Sequence, residues 1–168
     1  KDNGNGTYSI VIAGNDNFAS CSFNGKTNLL SVEYLKVTDK VTSMNAMFQN
    51  CTSLETVPLN LLPATTLASY CYDYLFYGCT KLTSLNLGSG VQNIGECAFS
   101  KCVLLESVAI PESVTSIGTA AFIECNKLTE FSGKFASADG KALIIDNTII
   151  AFAPGGMTSY SIPEGVTV

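Results

Sequence analysis

The sequence contains no histidine, no arginine and no tryptophan, and only 14% of its residues are charged. Histidine is the most frequent general base and metal ligand, so its absence removes the residue on which much acid–base and metal chemistry depends. All nine basic residues are lysines without a cluster, and the formal net charge is −5. Nucleic acids and anionic membranes bind clustered cations, so we expect neither as a partner.

Long apolar runs are also missing. The longest, such as Ala142–Ile145 and Ile149–Ala153, have the length of a strand and fall far short of the roughly 18 to 20 residues of a membrane span. We therefore expect a soluble chain, with no membrane insertion in this segment. With 46% hydrophobic residues among 168, the chain can bury the core of one domain. It starts at Lys1 and stops at Val168 inside a motif, so we interpret it as a piece of a longer protein.

The sequence does contain a tandem repeat, of which residues 98–122 are one unit. The unit begins and ends on Ala-Phe, and each of these phenylalanines is followed three residues later by a cysteine. The Phe and Cys slots recur at intervals of 28, 23 and 23 residues. A fixed period of this length indicates a solenoid. The repeated residues are Phe48, Phe76, Phe99 and Phe122, with Cys51, Cys79, Cys102 and Cys125.

Each cysteine slot is followed by leucine-type residues in an L-x-x-L-x-L pattern, as in LTSLNL (82–87). Alternate residues of this pattern point inward, so each coil is predicted to contribute a short strand to a parallel sheet. Residues 32–37 fit the same slots one unit earlier, which places Val32 in the slot of Leu54.

The other leg of each coil is predicted to be helical or irregular. Gly95 and Gly118 allow the chain to bend, and residues 96–102 are predicted to form a turn of helix that buries Phe99 and Cys102. No coil can bury its apolar face alone, so the coils must stack. The predicted fold is therefore an α/β repeat solenoid, a right-handed coil with short parallel strands on one face and short helical or irregular legs on the other.

The N-terminal segment departs from this repeat. Residues 1–28 contain only an echo of it, Phe18-Ala19-Ser20-Cys21. The first coil of a solenoid needs a cover, so we interpret residues 1–28 as an N-terminal cap or a degenerate repeat. The solenoid itself is predicted to span residues 29–168, with five extra residues between Leu59 and Leu67.

A second departure is an insertion at about 134–156. Two apolar strands flank Asp146-Asn147 there, a pair suited to a two-residue β-hairpin turn. The repeat then resumes with Ile162 in the slot of Ile110 and is cut off inside a unit at the C-terminus.

The segments AFSKCVLLESVAIPESVTSIG (98–118) and ADGKALIIDNTIIAFAPGG…YSIPEGVT (138–167) resemble the BspA-like leucine-rich repeat family. MFQNCTSLETVP (47–58) is similar to a variant unit of that family, and the resemblance covers roughly residues 29–168. It implies a leucine-rich-repeat-like coil in a secreted or surface-anchored bacterial protein, with the signal or lipid anchor outside this chain. It also implies adhesion to host proteins or other cells without a catalytic site, and it assigns no binding residues.

The seven cysteines have several interpretations. The four in the repeat are predicted to form a buried apolar column, whereas zinc would need ligands that converge on one point. Cys71 takes a core slot and Cys97 a more outward slot, so a free thiol at Cys97 and a Cys71–Cys97 bridge both stay open. An odd number of cysteines leaves at least one thiol unpaired. We predict no metal and no cofactor.

Carboxylates are candidate binding groups on the outer face of the predicted sheet. Glu33, Glu55 and Glu106 are predicted to occupy one column, with Glu130 one slot over. A glycosidase needs two carboxylates at a fixed separation in a closed cleft, which an open sheet face does not provide. We therefore expect no enzyme activity, and either a solvated face or a mildly acidic binding surface.

Tyrosines are the second group of candidate binding residues. The run from Ser69 to Tyr77 holds four of the seven tyrosines. Alignment of the repeats places Tyr72 and Tyr74 in outward slots, where with Tyr70 they could contact a ligand. The alternative is partial burial of these tyrosines beneath the residues inserted after Leu59.

The predicted function is a non-catalytic cell-surface module that recognises or adheres to an extracellular protein of a host or a neighbouring cell. One alternative is a glycan-binding module, with Tyr70, Tyr72 and Tyr74 as its contacts. Another is a structural spacer in a longer surface protein. We expect a monomer.

Overall fold

The computed structural model describes residues 10–11, 23–32, 35–36, 43–57 and 72–168. Within these ranges the chain forms short β-strands and turns, and no helix. The strands are β1 (Ile10–Val11), β2 (Leu35–Lys36), β3 (Ser84–Leu85), β4 (Asn93–Ile94), β5 (Ser107–Ile110), β6 (Ser116–Ile117), β7 (Glu130–Gly133), β8 (Ala142–Ile145) and β9 (Thr148–Phe152).

Parallel pairing at the interval of the repeat organises the central part of the chain. Strands β3, β5 and β7 form one parallel sheet, in which Ser84 pairs with Ser107 and Ser107 with Glu130. Strands β4 and β6 form a second one, in which Asn93 pairs with Ser116. Successive 23-residue repeats therefore stack in parallel, as the sequence predicts. The handedness of the coil stays a prediction.

The helical turn predicted at residues 96–102 is wrong. The amides of Ala98, Ser100 and Cys102 donate to carbonyls three residues back, as in successive β-turns. Cys97 and Lys101 have positive φ values of 51° and 62°, which type II turns require at their third position. An α-helix needs negative φ throughout and bonds to the fourth residue back.

Three alternate amides of this leg bond to the next coil. The amides of Cys97, Phe99 and Lys101 donate to the carbonyls of Thr119, Ala121 and Ile123 at 3.0, 2.9 and 2.9 Å. The preceding coils are joined in the same way, which ties each leg to its neighbour at every second residue. We call this array the turn ladder, with rungs at residues 44–51, 72–79, 95–102 and 118–125.

A column of stacked phenylalanine rings fills the interior of the turn ladder. Neighbouring ring centroids lie 5.3 to 5.7 Å apart. The four phenylalanines of the repeat are all buried, and the column begins one ring before them, because Phe23 stacks on Phe48. Phe18 and Cys21, the predicted echo of the repeat, lie outside the described residues, and the cap at 1–28 stays a prediction. The column consists of Phe23, Phe48, Phe76, Phe99 and Phe122.

The first described coil has a different register from the one predicted. Ser31 bridges to Thr56, and the amide of Val32 donates to the Thr56 carbonyl at 3.3 Å. This offset of 25 residues places Leu29 in the slot of Leu54, so the placement of Val32 in that slot is wrong. The reason is that this coil starts at Phe23 and is longer than the interval assumed from the sequence.

The inserted hairpin lies where the sequence predicts it. Strands β8 and β9 pair antiparallel, and the connecting Asp146 and Asn147 have positive φ values of 49° and 59°. Two consecutive positive φ values define the type I′ turn that suits a hairpin. The loop before β8 also closes the outer edge of β7, because the Phe131 amide donates to the Gly140 carbonyl at 2.7 Å.

The repeat resumes after the hairpin on its return leg only. The Thr167 amide donates to the Asn147 carbonyl at 2.7 Å, as the Thr115 amide does to Gln92 in the regular coils. Ile162, in contrast, is 48% exposed, whereas Ile110 is 2% exposed. The predicted equivalence of these isoleucines is thus wrong for burial, since the loop before β8 occupies the edge of β7 where the next strand would pair.

Candidate binding surfaces

The outward positions of β3, β5 and β7 form one open surface, which we call the sheet face. Ser84, Ser107 and Glu130 pair side by side across the three strands, and all three are exposed. Val108 and Phe131, the next residues on β5 and β7, are buried, so the strands alternate as half-buried strands do. A second exposed row, which we include in the sheet face, is formed by the residues that directly precede the three strands, Thr83, Glu106 and Thr129.

The structure describes two members of the predicted carboxylate column, Glu55 and Glu106. They share a slot by repeat alignment with Thr83 of the intervening coil, and the Glu106 amide donates to the Thr83 carbonyl at 3.2 Å. In the first coil the slot belongs to Leu30, whose carbonyl accepts from the Glu55 amide at 2.9 Å. The longer first coil shifts the register, and Glu33 lies outside the described residues.

The carboxylates of the sheet face are spread out and open to solvent. Neighbouring strands lie about 4.8 Å apart, so Glu55 and Glu106 are separated by roughly two strand spacings. Glu130 lies on the strand next to Glu106 and one residue over, as predicted. All three residues are exposed. This geometry suits an extended contact with another surface rather than the enclosure of a small substrate.

The tyrosines of the run 69–77 divide into buried and accessible ones. Tyr72 is 2% exposed, so its predicted outward orientation is wrong. The residues inserted after Leu59, which the alternative places over it, lie outside the described residues. Tyr72 packs tightly over the neighbouring coil, where a Cβ on Gly95 would lie 2.4 Å from its carbonyl carbon. Tyr74 is half-buried, and Tyr70 lies outside the described residues.

The accessible tyrosines form a polar cluster on the turn ladder. The rings of Tyr74 and Tyr77 lie 5.8 Å apart at an angle of 53°. The Tyr74 hydroxyl donates to Glu96 Oε1 at 3.2 Å, and this hydrogen bond raises the pKa of Tyr74. Lys101 Nζ lies 5.3 Å from the centroid of the Tyr77 ring, and interaction with Tyr77 raises the pKa of Lys101. We call these four residues the tyrosine cluster.

The repeated cysteines form the buried column that their spacing predicts. Each is 0% exposed, and each Sγ–H donates to the carbonyl of a phenylalanine one coil back, at 3.0 to 3.2 Å. Burial raises the pKa of the Cys51 thiol to about 11 and that of Cys125 to about 12. These neutral thiols are poor nucleophiles and metal ligands because the thiolate is the reactive form.

Cys97 differs from the column because it is half-buried and free. Its predicted bridging partner, Cys71, lies outside the described residues. Within the part of the chain that the structure describes, no group of three or more His, Cys, Asp or Glu side chains could hold a metal ion. The same residues include no helix that is long and apolar enough to cross a membrane.

Two residues were missed in the sequence, one in the aromatic column and one in the tyrosine cluster. Phe23 starts the aromatic column, and the signal for it was Leu29, which follows Phe23 by six residues as Leu54 follows Phe48. Tyr77, and not Tyr72, is the partner of Tyr74. Because Tyr77 directly follows the buried Phe76, its position beside the core slot was the available signal for an outward side chain.

The parallel sheet, the 23-residue interval and the buried Leu, Phe and Cys columns define a leucine-rich-repeat-like fold. Residues 65–143 match the family described as BspA type leucine rich repeat region, in six copies. The resemblance to this family seen in the sequence is therefore confirmed over these residues. No curated protein matches the chain.

Solved structures of bacterial leucine-rich repeat proteins are similar to this chain. A leucine-rich repeat protein of T. pallidum is 27% identical over 65% of this chain and 48% of its own, with a TM-score of 0.50. A leucine-rich repeat protein from Bacteroides ovatus is 25% identical over 75% of this chain and 43% of its own, with a TM-score of 0.45. A leucine rich cell surface protein from Faecalibacterium prausnitzii is 22% identical over 82% of this chain and 50% of its own, with a TM-score of 0.35. The chain thus spans about half the length of these proteins.

Proposed function

We propose that this chain is a non-catalytic protein-recognition module of a bacterial cell surface, and that its sheet face binds an extracellular protein. One observation carries the proposal. The two exposed rows of the sheet face vary between coils, with Ser, Ser and Glu in one row and Thr, Glu and Thr in the other, whereas the inward Phe and Cys positions repeat and are buried. Repeat folds present extended binding surfaces in this way, on a support of regularly stacked coils.

The chemistry of the sheet face indicates the kind of protein that it binds. Its exposed groups are hydroxyls and the carboxylates of Glu106 and Glu130, and the chain carries a formal charge of −5. A complementary partner surface presents basic and hydrogen-bond-donating side chains. Lys141 lies at the edge of the sheet, but its Nζ donates to the Thr129 carbonyl and leaves the carboxylates available.

The cell-surface location and the monomeric state are part of the same proposal. The BspA-type repeat supports a surface location, because the resemblance to that family implies secreted or anchored proteins. Protease treatment of intact cells of the source bacterium tests the location, since a surface protein is degraded and an internal one is protected. Light scattering of the purified chain at micromolar concentration tests the monomer.

A charge-reversal experiment tests the sheet face. The double variant Glu106→Lys/Glu130→Lys and the charge-matched control Glu112→Lys/Glu164→Lys, both at exposed positions, are compared on an array of purified extracellular matrix and serum proteins. We expect the sheet-face variant to bind its partner at least tenfold more weakly and the control to bind as the unchanged chain does. Binding that is equal in both variants, or no binding to any protein, overturns the proposal.

A glycan ligand is the second candidate, and the tyrosine cluster favours it. Two accessible aromatic rings beside a carboxylate and an ammonium group offer both stacking and hydrogen bonds to a sugar. We expect Tyr77→Ala to abolish signals on a glycan array if this function is correct, and Tyr160→Ala, outside the cluster, to retain them. If neither surface binds a ligand, the remaining function is a spacer between other parts of a surface protein.

A further inference from the structure

The last rung of the turn ladder, residues 118–125, has backbone amides without partners. In the preceding rung the amides of Cys97, Phe99 and Lys101 donate to the following coil. In the structure as described, the corresponding amides of Ala120, Phe122 and Glu124 make no hydrogen bond. The intervening amides of this rung are satisfied within their own turns, so the three free donors form one regular row.

A groove lies beside this row of free amides. It has a volume of about 300 Å³ and separates the rung from residues 150–154, at the end of β9 and just beyond it. Its walls are apolar except for Glu124, and Ile123 presents a side chain that is 53% exposed. Strand β9 does not fill the groove, because its backbone bonds go to β8 and, through the Ile149 amide, to Thr167.

Unpaired amides at such a place are unusual. More than 90% of buried backbone amides in proteins have a partner, because a buried amide without one loses its hydrogen bond to water and gains nothing in return. Phe122 is only 3% exposed, yet its amide has no acceptor. A row of free donors along the edge of a parallel array is a template for one more chain segment.

We propose that this groove binds an extended segment of a partner protein, which adds to the turn ladder as a further rung. The existing rungs define the geometry, since acceptor carbonyls come from every second residue and run parallel to the donors. The ligand therefore supplies three alternate carbonyls to Ala120, Phe122 and Glu124 and places an apolar side chain against Ile123. In strand addition of this kind, main-chain bonds provide affinity and the pocket provides specificity.

Size and charge restrict the segment further. A volume of about 300 Å³ is at the lower limit of ligand pockets, so the inserted part is a few residues long. Glu124 is exposed at the end of the donor row, where the C-terminal part of a parallel ligand lies. We expect a lysine or arginine there. This site lies on the leg of the coil and is separate from the sheet face.

Amide hydrogen exchange measured by NMR tests the donors directly. In the free chain, the amides of Ala120, Phe122 and Glu124 are expected to exchange at least tenfold faster than those of Cys97, Phe99 and Lys101, because only the latter are hydrogen-bonded. Equal protection of the two sets in the free chain overturns the proposal.

Selection from a displayed library of random nine-residue peptides tests the ligand. The selected peptides are expected to protect the three amides and to bind at least tenfold more weakly to Ala151→Trp, which fills the groove. Ala138→Trp, at an exposed residue of the loop before β8, is the matched control and should bind normally. Ile123→Glu, at a side chain already exposed, repeats the test without disturbing packing.

The sheet-face variant Glu106→Lys/Glu130→Lys separates this site from the proposed function. It should bind the selected peptides normally, even if it loses the extracellular protein. Failure to select any peptide, or selection of peptides that bind equally to Ala151→Trp and Ile123→Glu, overturns the groove and leaves the sheet face unaffected.

Discussion

The turn ladder and the inserted hairpin satisfy their backbone amides in opposite ways. In the first three rungs of the turn ladder, every second amide bonds to the following coil, as the Phe99 amide does to the Ala121 carbonyl. In the hairpin, β8 and β9 pair with each other across Asp146-Asn147. A rung therefore depends on its neighbours, whereas the hairpin holds most of its bonds within itself. Damage to a rung should spread along the stack, and damage to the hairpin should stay local.

The largest expected effect comes from the aromatic column. Phe99 is 1% exposed and stacks on Phe76 and Phe122 at 5.7 and 5.3 Å. We expect Phe99→Ala to lower the free energy of unfolding by about 3–5 kcal/mol, because it leaves a cavity shared by two coils. Urea denaturation measures the loss, and amide exchange should accelerate in both neighbouring rungs.

The hairpin supplies the control for this variant. Phe152 is half-buried and contacts Tyr160 edge to face at 5.2 Å. We expect Phe152→Ala to cost no more than about half as much, since less apolar area is buried. Exchange should then accelerate near β8 and β9 only. Equal losses in the two variants, or a loss from Phe99→Ala confined to its own rung, would contradict the comparison.

Close contact between rungs gives the next largest effect. A Cβ on Gly118 would lie 2.5 Å from the Glu96 amide nitrogen and 2.6 Å from the Gly95 carbonyl carbon. Backbone atoms cannot move aside as a side chain can, so we expect Gly118→Ala to destabilise the chain by about 2 kcal/mol. Thr119→Ala, at the adjacent exposed residue, should change stability by less than about 0.5 kcal/mol. Denaturation curves that superimpose for the two variants would rule out this crowding.

The features that repeat were predictable from the sequence, since each repetition confirms the last. The interval between Cys79, Cys102 and Cys125 identified the buried column, and the L-x-x-L-x-L pattern identified the sheet. The prediction that Glu130 lies one residue over from Glu106 is correct, because Glu130 on β7 pairs with Ser107 on β5. The hairpin was visible because its turn chemistry is local and needs no information from other coils.

The features that depend on a neighbouring coil were not predictable in the same way. Residues 96–102 lack any residue that forbids a helix, and no single unit shows that their alternate amides bond to the next coil. Burial of Tyr72 follows from contact with Gly95 on the next coil, which alignment of single units does not show. The amide of Phe122 is free because no following rung supplies an acceptor, and no residue of the sequence indicates this.

The buried thiols give the turn ladder a pH dependence. Burial raises the pKa of Cys125 from 9.0 to about 12, so this thiol stays protonated in the folded chain while it ionises in the unfolded chain. Its contribution to stability is therefore complete below about pH 9 and is lost as the pH rises toward 12. We expect the Cys125→Ala variant to lose about 1.4 kcal/mol less stability between pH 8 and pH 10 than the unchanged chain.

The half-exposed Cys97 provides the matched control for this measurement. Urea denaturation of Cys97→Ala at the same pH values should reproduce the loss seen in the unchanged chain, because this thiol lies outside the buried column. The comparison of variants cancels the ionisation of lysines and tyrosines. If Cys125→Ala and Cys97→Ala lose the same stability, the thiol column makes no contribution to the pH dependence.

The smallest effect is expected at the hairpin turn, where strain is local. Asn147 has a positive φ of 59° as the second residue of the type I′ turn, and glycine is the preferred residue there. Asn147→Gly should raise the free energy of unfolding by about 0.5 kcal/mol, because glycine adopts this φ without a Cβ penalty. Asn147→Val should lower it by at least about 1 kcal/mol, since a β-branched side chain clashes at positive φ. Thermal unfolding ranks the stabilities of the three chains. Amide exchange should change in β8 and β9 but not in the turn ladder. A change in exchange that spreads into residues 95–102 would show that damage to the hairpin does not stay local.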